Sequence, residues 1–158
     1  FCEEIVMFWS VLWASLHYLS ILMLFGCLYG ELLLWRTGIN ERNMRTLLLL
    51  DMGYGLSALV VLVSGLARAG WTEKGWDFYL ANPWFHGKVT LFILIALLSL
   101  YPTKVFLGWR KSVKAGHVPE IDAKLQRNLR GVLVAEIHLV VLMPILAALM
   151  ARGVGMGS

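Results

Sequence analysis

The chain alternates between long apolar segments and short polar ones, and four apolar segments are long enough to cross a bilayer. A transmembrane helix needs about 20 predominantly apolar residues. The predicted spans cover about residues 5–35, 45–69, 84–109 and 129–150. The first is longer than a bilayer requires, so we expect it to tilt or to project beyond the membrane. The pattern predicts an all-α integral membrane protein.

The short connections between the spans predict one antiparallel four-helix bundle that includes residues 1–158 as a single domain. Ten of the fourteen Lys and Arg residues flank the first and third connections. Basic connections usually face the cytoplasm, so both termini are expected on the outer, periplasmic side. The second connection, GWTEKGWDFYLANPW, carries three of the seven tryptophans. We expect it to form a short helix at the membrane surface.

The composition supports a membrane location and argues against nucleic acid as a partner. Hydrophobic residues make up 59% of the 158 residues, whereas soluble domains contain about 45–50%. The formal net charge of +4 would suit a nucleic-acid partner. However, the basic residues lie in connections between spans, where the positive-inside rule explains them better. The lipid bilayer is therefore the first predicted partner.

Several ionisable residues interrupt the apolar segments, and each is costly to place in hydrocarbon. A charged side chain at the centre of a span costs about 2.5–3.5 kcal/mol on insertion scales. Chains that keep such residues usually use them to hold a cofactor, a proton or an ion. The residues concerned are His17, Asp51, His86, Lys88, Glu136 and His138.

The histidines are candidate ligands of a haem b iron. His17 and His138 should lie at similar depth near the middle of the membrane, given a rise of about 1.5 Å per residue. His86 should lie closer to the outer surface. Histidines that project into a helical bundle commonly ligate haem iron. The alternative is that each imidazole only forms a hydrogen bond between helices.

The charged candidates have a structural interpretation beside the catalytic one. Asp51, Lys88 and Glu136 are candidate catalytic residues, but Asp51 would be structural if it pairs with Arg45 or Arg130. Glu136 acts as a proton carrier only if it faces the bundle interior. Lys88 either extends towards lipid headgroups or contacts a carboxylate such as a haem propionate.

Two glycines flank a tyrosine in the sequence DMGYG at residues 51–55, which leaves room beside the second span. Small residues in membrane helices usually allow close helix contact, and this is the favoured interpretation. The alternative is a groove that accommodates a flat macrocycle.

Five segments of the chain carry a resemblance to a known family. They are LHYLSIL at 16–22, LLLLDMGYGLSAL at 47–59, NPWFHGK at 82–88, SLYPTKVFLGWRK at 99–111 and PILAALMARG at 144–153. Through these segments nearly the whole chain resembles an uncharacterised family of predicted bacterial membrane proteins. This resemblance implies a multi-pass protein of the bacterial inner membrane.

A second pattern consists of His17 in the first span, W-x-H-x-K at residues 84–88 at the start of the third span, and Glu136 early in the last span. In these positions the chain is similar, more distantly, to the HemJ-type protoporphyrinogen oxidases, four-span proteins associated with b-type haem. The resemblance implies haem ligation by His17 and contact of Lys88 with a tetrapyrrole or its propionates.

The chain departs from the HemJ-type pattern beside this glutamate. Ala135 stands where that family has asparagine, and His138 stands where it has proline. His138 would give this chain a different set of axial ligands.

The leading hypothesis is a haem b oxidoreductase that passes electrons from a quinol or a porphyrinogen to another carrier. A second hypothesis is a non-catalytic accessory subunit of a larger membrane complex. A third is a small transporter that uses Asp51, Glu136 and Lys88. Four spans make a narrow pathway, so a transporter would need to form a homo-oligomer.

Overall fold

The computed structural model describes residues 2–155, and within this range the regular secondary structure is helical. Four helices are long and apolar enough to span a membrane, which confirms the predicted all-α class and number of spans. A π-helical turn, Arg68–Thr72, follows the second helix. The α-helices are α1 (Cys2–Thr37), α2 (Glu41–Ala67), α3 (Trp76–Ala81), α4 (Pro83–Gly108), α5 (Arg110–Lys114) and α6 (Ala123–Ala151).

Short polar residues determine where the long helices begin. The side chains of Asn40, Asn82 and Asp122 accept hydrogen bonds from backbone N–H groups two or three residues later. These bonds satisfy donors that the first turn of a helix leaves free. Pro83 occupies the first turn of α4, where its missing N–H has no cost. After α1, Gly38 adopts a positive φ of 90°, which favours glycine.

Each long helix buries one narrow stripe of side chains and leaves large apolar residues exposed on the opposite side. Helix α1 packs against α2 and α6, and α4 packs against α6 and α2. Exposed leucine, valine and phenylalanine are what a lipid-facing surface requires. The buried stripe of α1 comprises His17, Ser20, Leu24, Cys27, Leu28, Glu31, Leu32 and Trp35.

An aromatic cluster joins α1 to the end of α4. The rings of Trp35 and Trp109 stack with centroids 6.1 Å apart, and Phe106 lies 5.6 Å from Trp109. The Trp35 indole N–H also donates to the carbonyl of Gln126 in α6, over 3.1 Å. These contacts fix the carboxyl-terminal end of α1 against both helices.

The connection between α2 and α4 contains the expected short helix, α3. The residues that follow α3 are held by two polar contacts to the end of α6 and to the turn after it. The Asn82 amide donates to the carbonyl of Met150 over 3.1 Å, and the Trp84 indole N–H donates to that of Val154 over 2.6 Å.

The two glycines of the DMGYG sequence lie in different surroundings. A Cβ atom built on Gly53 would lie 2.9 Å from the Cys27 sulfur, so this glycine allows α1 and α2 to pack closely. A Cβ atom on Gly55 would meet no atom within 4 Å. Gly53 therefore fits the favoured interpretation of close helix contact.

Replacing Gly53 with alanine should destabilise the protein relative to the matched Gly55→Ala variant. Both changes gain the same helix propensity, but only Gly53→Ala introduces a clash, which costs about 1–3 kcal/mol. Thermal unfolding in detergent, followed by circular dichroism, measures the difference. In a Cys27→Ala background, which lacks the sulfur, the difference in stability between the two glycine variants should be smaller. An equal effect of the two glycine changes would contradict the close contact.

Candidate functional site

A buried histidine is held in one orientation by a serine of the neighbouring helix. Only 5% of His17 is exposed, and its Nδ1 atom lies 3.0 Å from Ser64 Oγ. The Ser64 hydroxyl donates its single hydrogen within α2, to the carbonyl of Val60 over 2.6 Å. With the hydroxyl hydrogen directed to Val60, Ser64 Oγ is an acceptor for His17 Nδ1–H, and we assign the imidazole this tautomer. This tautomer leaves the Nε2 lone pair free, and Nε2 forms no hydrogen bond within residues 2–155.

Helix α2 provides the space in which the His17 ring lies. A Cβ atom on Gly65 would approach the Cε1 atom of His17 to 3.2 Å. Such a contact is tighter than most, so a larger residue would press on the imidazole. Gly65 and Ser64 therefore act together: the first admits the ring and the second orients it.

Two basic residues lie close enough to His17 for their charges to act on the imidazole, and they differ in their partners. Arg68 is 2.7 Å from a Glu73 carboxylate oxygen, and its guanidinium lies 4.9 Å from the centre of the Tyr18 ring. Lys88 is half-buried and forms no ion pair within the described part of the chain. Lys88 is thus the cation available to an anionic ligand beside His17. We call His17, Ser64, Arg68 and Lys88 the histidine site.

The structure does not bring the other two predicted haem ligands into the histidine site. His86 and His138 are both exposed on the surfaces of their helices. A ring nitrogen of His86 lies 2.8 Å from the carbonyl of Leu80, and one of His138 lies 2.7 Å from that of Val134. Over residues 2–155, no three His, Cys, Asp or Glu side chains are grouped as metal ligands. A role for these two histidines in haem ligation stays a prediction.

Three carboxyl groups from three different helices form a second polar group, the carboxyl cluster. Glu31 of α1, Asp51 of α2 and Glu136 of α6 lie close enough for their charges to interact. Only 2%, 6% and 1% of these residues, respectively, is exposed. Helix α4 contributes Thr103, whose hydroxyl donates to Asp51 Oδ1 over 2.7 Å. All four long helices therefore meet at the carboxyl cluster.

Two of these carboxyl groups have an oxygen with no partner. Oε1 of Glu31 and Oε1 of Glu136 are fully buried and form no hydrogen bond with the residues that the structure describes. Buried polar atoms are satisfied in the large majority of cases, so unpaired ones call for a physical explanation. Glu136 faces the bundle interior, which meets the condition set for a proton carrier.

The structural alternative for Asp51, an ion pair with Arg45 or Arg130, is not formed within residues 2–155. Asp51 accepts the hydrogen bond from Thr103 instead. Arg45 lies at the exposed start of α2, where its Nη2 atom is 3.9 Å from Oε1 of Glu41. Arg130 is exposed. Long basic side chains remain near water because burial of their charge is costly.

Sequence reasoning missed Glu31, which lies near the end of the unusually long first apolar segment. The available signal was its spacing from His17. Fourteen residues separate the two, which is about four helical turns and places both on one face of α1. A buried imidazole at one position therefore predicts a buried carboxyl group at the other.

Four apolar helices that enclose two buried polar groups define a multi-pass α-helical membrane protein. The chain belongs to the family described as "Predicted membrane protein (DUF2214)", whose model matches residues 9–155. This match confirms the expected membership of a family of predicted membrane proteins. No curated protein and no solved structure matches the chain.

Replacing Thr103 with valine should destabilise the protein by about 1–3 kcal/mol, because it leaves a buried Asp51 oxygen without a donor. The matched control is Thr90→Val, a change at an exposed position of the same helix. The control should shift stability by no more than about 0.5 kcal/mol. Chemical denaturation in mixed micelles measures both. Equal stability of the two variants would show that the hydrogen bond contributes nothing.

Proposed function

We propose that the protein is a b-type haem-binding membrane protein of the oxidoreductase type, in which Nε2 of His17 would hold the haem iron. The observation that carries the proposal is the state of this imidazole. It is buried, its Nδ1–H is held by Ser64, and its Nε2 lone pair is free. Metal-ligating histidines almost always donate their other ring N–H to such a partner, which fixes tautomer and ring orientation.

The basic residues of the histidine site fit the propionates of a haem. A lysine ammonium is a compact point charge that pairs with a carboxylate. Lys88 has no such partner in the described chain, whereas Arg68 is paired with Glu73. Lys88 is therefore the proposed propionate contact, in agreement with the similarity to HemJ-type proteins. His138 and His86 stay the candidates for a second ligand that would hold the iron.

A bound haem would supply one-electron redox chemistry, and the chain would supply ligation, orientation and burial. The proposed electron donor is hydrophobic, either a quinol or a porphyrinogen, because His17 and Ser64 belong to helices that are long and apolar enough to span a membrane. Asp51 and Glu136 are the proposed groups for the proton transfer that accompanies oxidation of such a donor. The proposed role of Lys88 is to hold the propionates of the haem.

The proposed setting is the bacterial inner membrane. We infer an antiparallel bundle with both termini on the outer side, because ten of the fourteen basic residues then face the cytoplasm. In this orientation the histidine site lies in the outer half of the membrane and the carboxyl cluster in the inner half.

Replacing His17 with alanine should abolish haem retention, since the iron loses its ligand. The measurement is a reduced-minus-oxidised absorption spectrum of protein purified after expression with added haem. The matched control is His117→Ala, in the exposed loop before α6, which should keep the wild-type haem content. Size-exclusion chromatography verifies that both variants are folded.

An unchanged haem spectrum in His17→Ala would contradict the proposed ligand. Loss of the six-coordinate spectrum in His138→Ala or in His86→Ala alone would identify the second ligand. A wild-type protein that remains colourless with haem supplied would contradict haem binding and favour the accessory-subunit hypothesis.

The proposed topology predicts that a membrane-impermeant maleimide labels Cys2 from outside intact spheroplasts. Cys2 is exposed and Cys27 is buried, so the reagent distinguishes the native thiols. In a chain without either cysteine, Lys111→Cys should react only after the membrane is opened. The reverse labelling pattern would show that both termini face the cytoplasm and would contradict the proposed orientation.

A further inference from the structure

The carboxyl cluster presents an electrostatic problem that its own contacts do not solve. Glu31, Asp51 and Glu136 form no ion pair within residues 2–155. Three carboxylates side by side in a membrane interior would repel one another, and each would lose its hydration. Such groups become neutral by binding protons unless a cation balances them.

The surroundings of the three groups show which of them is best stabilised as an anion. Asp51 accepts a hydrogen bond from Thr103, and the exposed Arg110 is near enough for its charge to act on Asp51. Glu31 has neither contact, and its Oε1 is unpaired. The titratable groups facing Glu31 are Cys27 on its own helix, Asp51 and Tyr54 on α2 and Glu136 on α6.

A metal cation is a poorer occupant than a proton. Hard cations require several oxygen ligands at short distances around one point. No three acidic, histidine or cysteine side chains are so grouped in the described chain. The unpaired oxygens of Glu31 and Glu136 instead can each be satisfied by binding a proton.

A polar groove lies between the end of α1 and the start of α6. It is lined by Trp35, Gln126, Arg127 and Arg130. Trp35 follows Glu31 by one turn on the same face of α1. One wall of the groove, which we call the Trp35 groove, therefore lies about one helical turn from Glu31 along α1.

We propose that Glu31 is a proton-binding site in the membrane interior, neutral at physiological pH and in exchange with water on the side of the Trp35 groove. On release, the proton leaves the carboxylic acid for water and a carboxylate remains. On uptake, the carboxylate takes a proton from water. The inference rests on the carboxyl cluster alone and holds whether or not His17 binds haem.

Infrared spectroscopy of the full chain in lipid tests this site directly. At neutral pH the protein should show the C=O stretching band of protonated carboxylic acids, and Glu31→Gln should remove part of it. Glu120→Gln, at an exposed loop position, is the matched control and should leave the band intact. The Glu31 component should shift in deuterium oxide. A band unaffected by Glu31→Gln, or a component that does not exchange, would overturn the proposal.

A second measurement uses the unaltered protein, so it does not depend on folding of a variant. A hydrophobic carbodiimide adds to protonated carboxyl groups within membranes, and mass spectrometry locates the adduct. Glu31 should be modified, whereas the exposed Glu41 should not. Absence of the adduct at Glu31 would overturn the proposal. A third result would also overturn the proposal. If sodium chloride raised the unfolding temperature more than choline chloride did, and Glu31→Gln removed this difference, the site would bind a metal cation.

Discussion

The polar stripe of helix α1 is the constraint on which the rest of the bundle depends. His17 and Glu31 lie on the same face, about four turns apart, and neither is tolerated against lipid. The other helices must therefore cover this face and supply polar partners at two depths. Helix α2 does so at both, with Ser64 beside the imidazole and Asp51 beside the carboxyl group.

The two polar groups differ in how completely the protein satisfies them. Within residues 2–155, His17 Nδ1, Ser64 and Arg68 of the histidine site each have a polar partner, whereas Lys88 and the Nε2 lone pair of His17 have none. At the carboxyl cluster, two glutamates have an unpaired oxygen each. The free imidazole nitrogen and the unpaired lysine of the histidine site would suit a ligand that carries a metal and a negative charge. The unpaired carboxyl oxygens of the carboxyl cluster would suit protons. A redox centre and a proton site at different depths in one bundle would allow electron and proton movements to be separated.

The helices could be predicted from the sequence because apolar length is the dominant signal in a membrane protein. The burial of His17 also followed from its position in the first span. The direction in which His138 points could not be predicted in this way, because the depth of a residue along a helix gives no information on the rotation of the helix about its axis. The Asp51 partner was also missed, since the nearest arginines in sequence remain in water while Thr103 approaches from another helix. Glu31 was not predicted, because it lies near the end of a long first segment, and apolar length alone does not show whether that end lies inside the bundle or in water.

The central claim, that His17 lies in a haem site, is tested most directly by the haem content of the purified wild-type chain. The pyridine haemochromogen assay, referred to protein concentration from amino-acid analysis, gives this ratio for protein expressed with haem supplied. The account predicts about one haem b per chain. A ratio near zero in folded, monodisperse protein would contradict it.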